Sequence, residues 1–91
     1  MSSFKPEVHE FVEDTIFEYL RSIPNSKDLE DRYRCLTTPI KSASTHELHQ
    51  IAKKCANYIL RNTSSLEQLS NLEDNDLIYQ ALMRAINNDD E

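Results

Sequence analysis

The absence of glycine is the strongest constraint on what this 91-residue sequence can fold into. Phosphate-binding loops, nucleophile elbows and dinucleotide fingerprints all need backbone conformations that glycine adopts at little cost. Most enzyme classes are therefore excluded, and the remaining segments carry helix start signals and few strand signals. We predict an all-α protein, a compact bundle of four to five short helices, that is not an enzyme.

The composition is that of one folded domain, with 38% hydrophobic and 29% charged residues. We expect a single helical domain over residues 6–87, with short flexible tails at 1–5 and 88–91. No apolar run approaches the ~18 residues that a membrane span needs, and no signal-peptide core follows Met1. Two cysteines without a secretion signal predict reduced thiols in a cytoplasmic or nuclear protein. The initial methionine, with no glycine linker, predicts a complete small protein.

Charge is unevenly distributed along this acidic chain, whose net charge is −6. Residues 1–26 and 62–91 are acidic, whereas residues 27–61 carry an excess of positive charge. Internal complementarity between the basic middle and the acidic ends is the favoured interpretation, and a docking face for an acidic partner is the alternative. The overall negative charge makes nucleic acid an unfavourable partner, because the protein's own field opposes phosphate contacts.

Apolar spacing and start signals divide the first half of the chain into two helices and a loop. Pro6 suits the first position of a helix, and Pro24 ends the apolar stripe that follows. Asn25 is predicted to cap a second, short helix that runs through Tyr33 to Leu36. Proline and several hydroxyl side chains predict a loop at residues 37–43.

Three helices are predicted in the second half. Ser44 and Glu47 form a capping box before the best-marked helix, and Ser64 with Glu67 predicts a second box before a short leucine-bearing helix. A cluster of acidic and amide residues at 74–76 then precedes the last helix.

Two sets of reactive side chains are candidates for metal binding or for catalysis. Two cysteines and two histidines, Cys35, His46, His49 and Cys55, have spacings that match no common zinc site. Cys55 would point about 180° from His46 on the same helix, so one ion could not collect them. No oxyanion loop supports a cysteine–histidine pair in catalysis. We expect no metal, no cofactor and no small-molecule substrate.

Thr38 is the sharpest local signal in the sequence. The order Thr38-Pro39-Ile40-Lys41 is what a proline-directed, cell-cycle-type kinase accepts, and the predicted loop would make it accessible. Phosphate there would add about −1.5 to −2 charges to the basic middle. Chance occurrence of a short pattern, with proline ending a helix, is the alternative.

Four residues lie off the apolar stripes of their helices, and we predict that they bind a partner. Phe17, Leu60 and Met83 point about 130–150° from the centres of their stripes, and Tyr79 lies at a border. Aromatic and flexible side chains of this kind anchor protein interfaces. The alternative is that short helices bury wide arcs, which would make these positions core.

Two segments resemble parts of known helical families. Residues Leu36 to Ile40, followed by Ile51-Ala52-Lys53, are similar to the N-terminal helical domain of transcription elongation factors, although Lys41 stands where that family has glycine. The segment from Glu47 to Leu82 is similar to the later helices of KIX co-activator domains. The two likenesses are incompatible with each other, and both favour transcription-related binding.

The sequence therefore predicts a non-enzymatic protein-interaction module. It would be an adaptor or small subunit of a larger complex, with a transcription- or cell-cycle-related role, and would hold a partner helix or peptide in an apolar groove. Self-association into a homo-oligomer stays open. The alternative is a helical nucleic-acid-associated factor that uses the basic residues Arg32, Arg34, Lys41, Lys53, Lys54 and Arg61.

Overall fold

The structure, a computed structural model, describes residues 4–72 and 76–87 and confirms the predicted all-α fold. The described residues contain no strand. They form six α-helices: α1 (Pro6–Ser22), α2 (Lys27–Arg32), α3 (Arg34–Lys41), α4 (Thr45–Arg61), α5 (Leu66–Ser70) and α6 (Leu77–Ile86), with a 3-10 turn at Ile23–Asn25. The predicted C-terminal tail at 88–91 and residues 74 and 75 of the acidic cluster lie outside the described residues.

Helix α4 is the centre of the bundle, because it packs against α1 on one side and α6 on another. Its buried residues cover a wide arc: Ala52, Cys55, Ala56, Ile59 and Leu60. Facing them are Val12, Ile16 and Leu20 of α1, and Ile78, Leu82 and Ala85 of α6. These residues belong to a single hydrophobic cluster. The tertiary position of α4, between two helices, thus determines how much of its surface is apolar core.

The start of α4 agrees with the sequence prediction. Ser44 accepts a hydrogen bond from the Glu47 backbone N–H at 3.1 Å, and the Glu47 carboxylate accepts one from the Ser44 backbone N–H at 2.8 Å. This reciprocal pair satisfies two backbone donors that a helix start leaves unpaired. The capping box predicted at Ser44 and Glu47 is confirmed.

The prediction of a loop at residues 37–43 was wrong over residues 37–41, since α3 continues to Lys41 with Pro39 inside it, and only Ser42 and Ala43 lie outside a helix. Pro39 has no N–H to donate to the Cys35 carbonyl, and an interior proline costs a helix roughly 3 kcal/mol. Leu36, Thr37 and Ile40 are nevertheless buried on one face of α3. Burying two large aliphatic side chains contributes roughly 1.5–3 kcal/mol each, enough to offset the proline.

Two other boundaries differ from the prediction. Ser26, not Asn25, caps α2, and its side chain accepts from the Leu29 N–H at 3.4 Å. The predicted continuous helix through Leu36 is broken at Tyr33, whose backbone is not helical and whose side chain is fully buried. The break allows the tyrosine ring to turn into the core between α2 and α3.

The capping box predicted at Ser64 and Glu67 does not form. Helix α5 begins at Leu66, one residue later than that box requires, with Ser65 at the N-cap and no side-chain cap bond. Gln68 therefore takes the position of the reaching side chain, and its carbonyl oxygen accepts from the Ser64 N–H at 3.0 Å. Leu66, the first leucine of this helix, is 60% exposed, whereas Leu69 is buried.

Candidate functional site

An open groove with a volume of about 350 Å³ is bounded by α3, α4 and α6. This volume is within the range of binding pockets, at its small end. Its apolar lining comes from three parts of the chain: Pro39, Ala43, Ile51, Ala85 and Ile86. Its polar lining is Ser42, Glu47, Gln50 and Lys54. We call this surface the α3–α4–α6 groove.

The rim of the α3–α4–α6 groove along α4 has a charge order. Glu47, Gln50 and Lys54 are spaced at i, i+3 and i+7, so they lie on one helix face. An acidic and a basic side chain therefore stand about 10 Å apart along the groove, at 1.5 Å per residue. The hydrogen bonds from Ser44 lower the pKa of Glu47, first that of its backbone N–H. Glu47 is thus held ionised at neutral pH, which fixes the negative end of the rim.

Two of the four predicted partner-binding residues lie on α6, the helix that contributes Ala85 and Ile86 to the α3–α4–α6 groove, although neither of the two belongs to its lining. Met83 is 38% exposed and stands one turn before Ile86 on the same helix face. Tyr79 is one turn before Met83 and is half-buried. Its ring stacks on Tyr33 with centroids 5.4 Å apart, and its hydroxyl is 3.9 Å from the Cys35 sulfur. Met83 is the more accessible of the two.

Leu60 is only 2% exposed and belongs to the core. It lies off the main stripe of α4, but α4 has neighbours on two sides, so its buried arc reaches that position. Of the two alternatives that the sequence left open for Leu60, the structure thus favours core packing. A side chain that is already buried in the isolated chain offers no surface to a partner.

Phe17 lies away from the α3–α4–α6 groove, at the contact between α1 and α4. Its ring is stacked on His49 at a centroid distance of 4.0 Å and an interplanar angle of 4°. The Arg21 guanidinium carbon lies 5.6 Å from the Phe17 ring centroid. Two side chains of the same molecule therefore cover the ring, and the four predicted residues do not form one site.

Thr38 is exposed, but it lies inside α3 and not in the loop that was predicted around it. Its neighbour Pro39 lines the α3–α4–α6 groove. Arg34 and Lys41 stand at i−4 and i+3 from Thr38, on the same side of the helix. A phosphate on Thr38 would therefore arise beside the groove and within reach of two cations.

Three of the six basic residues in the alternative nucleic-acid hypothesis form ion pairs within the chain. Arg32 pairs with Asp76 at 3.1 Å, Arg34 with Asp31 at 3.6 Å, and Lys41 with Glu30 at 2.9 Å. Each carboxylate reduces the positive charge that its partner offers to a phosphate. These three cations do not form an uncompensated basic surface.

The cysteines and histidines do not assemble a metal site within the described residues. Cys35 is exposed and Cys55 is buried, and neither forms a disulfide. Burial raises the pKa of Cys55 to about 12, so its thiol is protonated and inert at neutral pH. Within residues 4–72 and 76–87, no helix combines the length and the apolar composition that bilayer crossing demands.

Comparison of the chain with protein families, curated proteins and solved structures finds no match.

Most of the α3–α4–α6 groove was not predicted from the sequence. Pro39 was expected to lie in a loop after a helix, and no binding role was predicted for Ile51 or Ile86, but all three line the groove. No sequence signal brings the C-terminal ends of α3 and α6 to the start of α4. Phe11, which is 60% exposed, was also missed, although its angle from the α1 stripe would have identified it.

Proposed function

We propose that this protein is a non-enzymatic interaction module that holds a helical segment of a partner protein in the α3–α4–α6 groove. It would act as an adaptor or small subunit of a larger complex. The observation that carries the proposal is the groove itself, an open apolar channel with a polar rim. Met83, exposed on α6 at i−3 from Ile86, offers a further apolar side chain on the same helix face.

The shape and charge of the groove favour an amphipathic helix as its occupant. Helix-binding grooves are lined by apolar side chains that receive partner residues at i, i+3 or i+4, and i+7. Ile51 and Ile86 supply two such contacts from different helices. On the rim, the ionised Glu47 favours a basic residue of the partner.

Met83 and Tyr79 stay in the proposed binding surface, and Leu60 and Phe17 leave it. Met83 has the flexible, polarisable side chain that suits an adaptable apolar interface. Tyr79 forms the border of the surface where α6 meets α3, and its contact with Cys35 raises the pKa of its hydroxyl. The tyrosine therefore stays neutral and acts as a hydrogen-bonding edge.

Thr38 is the proposed regulatory position. Phosphate on Thr38 would compete with Glu30 and Asp31 for Lys41 and Arg34, and would add negative charge next to Pro39 on the groove wall. We expect weaker binding of a partner whose acidic residue approaches that side. Because Thr38 lies in a helix, its modification requires the C-terminal part of α3 to open.

The two free cysteines favour a reducing compartment, which for this module would be the cytoplasm or the nucleus. A transcription- or cell-cycle-related complex is consistent with both locations. The nucleic-acid alternative receives less support, because half of its proposed cations are ion-paired within the chain.

The first experiment is to tag the chain at its own locus, purify it gently and identify stoichiometric companions by mass spectrometry. The helical segment of the companion is then titrated by calorimetry into the wild-type protein and into Met83→Glu. We expect Met83→Glu to weaken binding about tenfold, because a charge replaces an apolar contact.

The matched control is Leu66→Glu, which makes the same change at an exposed apolar residue of α5, outside the groove. It should leave affinity within about twofold. Circular dichroism confirms that both variants keep their helicity. Recovery of the chain without any companion, or equal effects of the two variants, would contradict binding in the groove.

A further inference from the structure

A second apolar surface lies on the N-terminal half of α1, away from the α3–α4–α6 groove. Phe11 is 60% exposed on the outer side of this helix. Glu7 and Asp14 stand at i−4 and i+3 from Phe11, so they flank its ring on the same helix face. A large exposed aromatic side chain between carboxylates can contact an apolar residue of a partner, and the carboxylates give this contact surface a negative charge.

Next to this face is a shallow groove of about 430 Å³ lined by Phe4, Pro6, His9, Glu10 and Glu13. Phe4 precedes α1 and packs partly against the core, which forms an apolar wall beside the helix. Glu10 lines this groove and also stands at i+3 from Glu7, one of the residues that flank Phe11, so the groove and the outer face of α1 share this carboxylate. We call the groove and the outer face together the α1 surface.

The carboxylates of the α1 surface are not neutralised by the basic middle of the chain. Within the described residues, Glu7, Glu10 and Asp14 form no ion pair. In the part of the chain that the structure describes, two ion pairs involve α1, His9 with Glu13 at 3.1 Å and Arg21 with Glu18 at 3.3 Å, and both are internal to the helix.

Within the described residues, three of the four cations of residues 27–41 pair elsewhere. Lys41 and Arg34 bind carboxylates of α2, and Arg32 binds Asp76 at the start of α6. The charge distribution suggested that the basic middle of the chain would pair with the acidic residues of the first helix, and these ion pairs do not do so. The negative charge of the α1 surface is left for an external cation.

We propose that the α1 surface docks a lysine- and arginine-rich amphipathic segment of a partner protein. An apolar side chain of that segment packs against Phe11 or Phe4, while its cations approach Glu7, Glu10 and Asp14. An arginine can also stack on Phe11, as Arg21 does on Phe17 one and a half turns further along the same helix. This site is separate from the α3–α4–α6 groove and does not depend on it.

The negative charge of the α1 surface and the helical spacing of its residues favour a basic amphipathic helix as its partner. Glu7, Glu10, Phe11 and Asp14 follow the i, i+3, i+4, i+7 pattern of one helix face, which a second helix can lie along. Opposite charge increases the rate of encounter and excludes acidic segments, whereas the phenylalanines hold the complex together. An acidic partner would meet repulsion over the whole face.

The test uses the full chain and a synthetic amphipathic peptide of about four helical turns, with leucines on one face and arginines and lysines on the other. A twin peptide carries glutamates in place of every cation. Binding is followed by amide chemical shifts of the 15N-labelled protein and by fluorescence anisotropy, at low and at physiological ionic strength.

Two pairs of variants separate a site from general attraction to an acidic protein. Glu10→Gln with Asp14→Asn removes two charges from the α1 surface, and Asp28→Asn with Glu67→Gln removes two exposed charges elsewhere. Phe11→Ser removes the aromatic contact, and its control is Leu66→Ser, since both side chains are 60% exposed.

We expect the largest shifts at residues 4–14 and no binding of the glutamate twin. The charge variant at Glu10 and Asp14 and the variant at Phe11 should each weaken binding about fivefold, and their controls less than twofold. Equal losses in the controls, tight binding of the twin, or shifts confined to the α3–α4–α6 groove would overturn the proposal. Self-association of the chain through the α1 surface, detected by sedimentation, would also overturn it.

Discussion

Helices α3 and α4 are neighbours in sequence, yet different forces hold them in helical form. In α4, local signals and tertiary packing agree: a formed capping box, 17 residues of helix and an apolar face that packs against two other helices. In α3, they conflict, because Pro39 lies inside an eight-residue helix whose N-cap residue makes no side-chain cap bond. Packing overrides local preference in α3, whereas it only adds to local preference in α4.

The functional consequence is that the weaker helix forms one wall of the α3–α4–α6 groove. Pro39 and the turn at Ser42 and Ala43 line it from one side, while the rim residues Glu47, Gln50 and Lys54 belong to the stable helix. Segments with few local stabilising contacts open at lower free energy than the core. A partner would thus meet one firm wall and one wall that can adjust.

Helices α3 and α4 each carry one cysteine, Cys35 and Cys55. The difference in reactivity between the two thiols is the largest effect that we expect from the difference in stability between the two helices. We expect Cys35 to be alkylated at least about a thousandfold faster than Cys55, because the buried thiol is reached only when the core opens. The raised pKa of Cys55, about 12, suppresses its thiolate further. Timed iodoacetamide labelling with mass spectrometry measures both rates. Similar rates would mean that α4 is not the firm helix.

Replacement of one buried isoleucine by alanine in each helix should lower the free energy of unfolding by different amounts. Ile59→Ala in α4 should lower the free energy of unfolding by about 4 kcal/mol, and Ile40→Ala in α3 by about 2 kcal/mol. Ile59 is fully buried between α1 and α6, whereas Ile40 lies at the end of a short helix. Urea unfolding followed by circular dichroism gives both values, and an equal loss would show that α3 is packed as firmly as α4.

Pro39→Ala should raise the free energy of unfolding by about 1–2 kcal/mol. Alanine restores the backbone donor for the Cys35 carbonyl and removes the clash of the ring, and the loss of proline's effect on the unfolded chain offsets part of this gain. Thermal unfolding measures the change, with Thr38→Ala as the control at the preceding exposed position. A destabilised Pro39→Ala protein would show that proline supports α3 through its own contacts.

Ser44→Ala should cost about 1 kcal/mol through loss of the N-cap. It should also raise the pKa of Glu47 only part of the way toward its ordinary value of 4.5, because the hydrogen bond from the backbone N–H of residue 44, the larger cause of the lowering, stays while that of the side chain is lost. A lowered folded pKa gives stability that is complete above about pH 4.5 and is lost as pH falls through the folded value. Carboxyl-carbon NMR titration of both proteins checks this. An unchanged Glu47 pKa in the variant would contradict the capping box as its cause.

Local chemistry was sufficient to predict several elements. Pro6 marks the first residue of α1, and Ser44 with Glu47 marks the start of α4, because both signals act within one helical turn. The sites were less predictable. Leu60 was interpreted as partner-binding from its angle on α4, but an angle does not show how many neighbours a helix has. Phe17 is covered by His49, a residue from another helix.

By itself, the sequence determined the all-α class and the two long helices, α1 and α4, through the absence of glycine, the apolar periodicity and the capping residues. Only the tertiary structure decided that Pro39 lies within a helix, that Tyr33 interrupts one, and that α3, α4 and α6 enclose a groove. The physical reason is the sequence distance over which each effect acts. Capping and periodicity act between residues a few positions apart, whereas burial, which outweighs them in α3, depends on which distant segments meet.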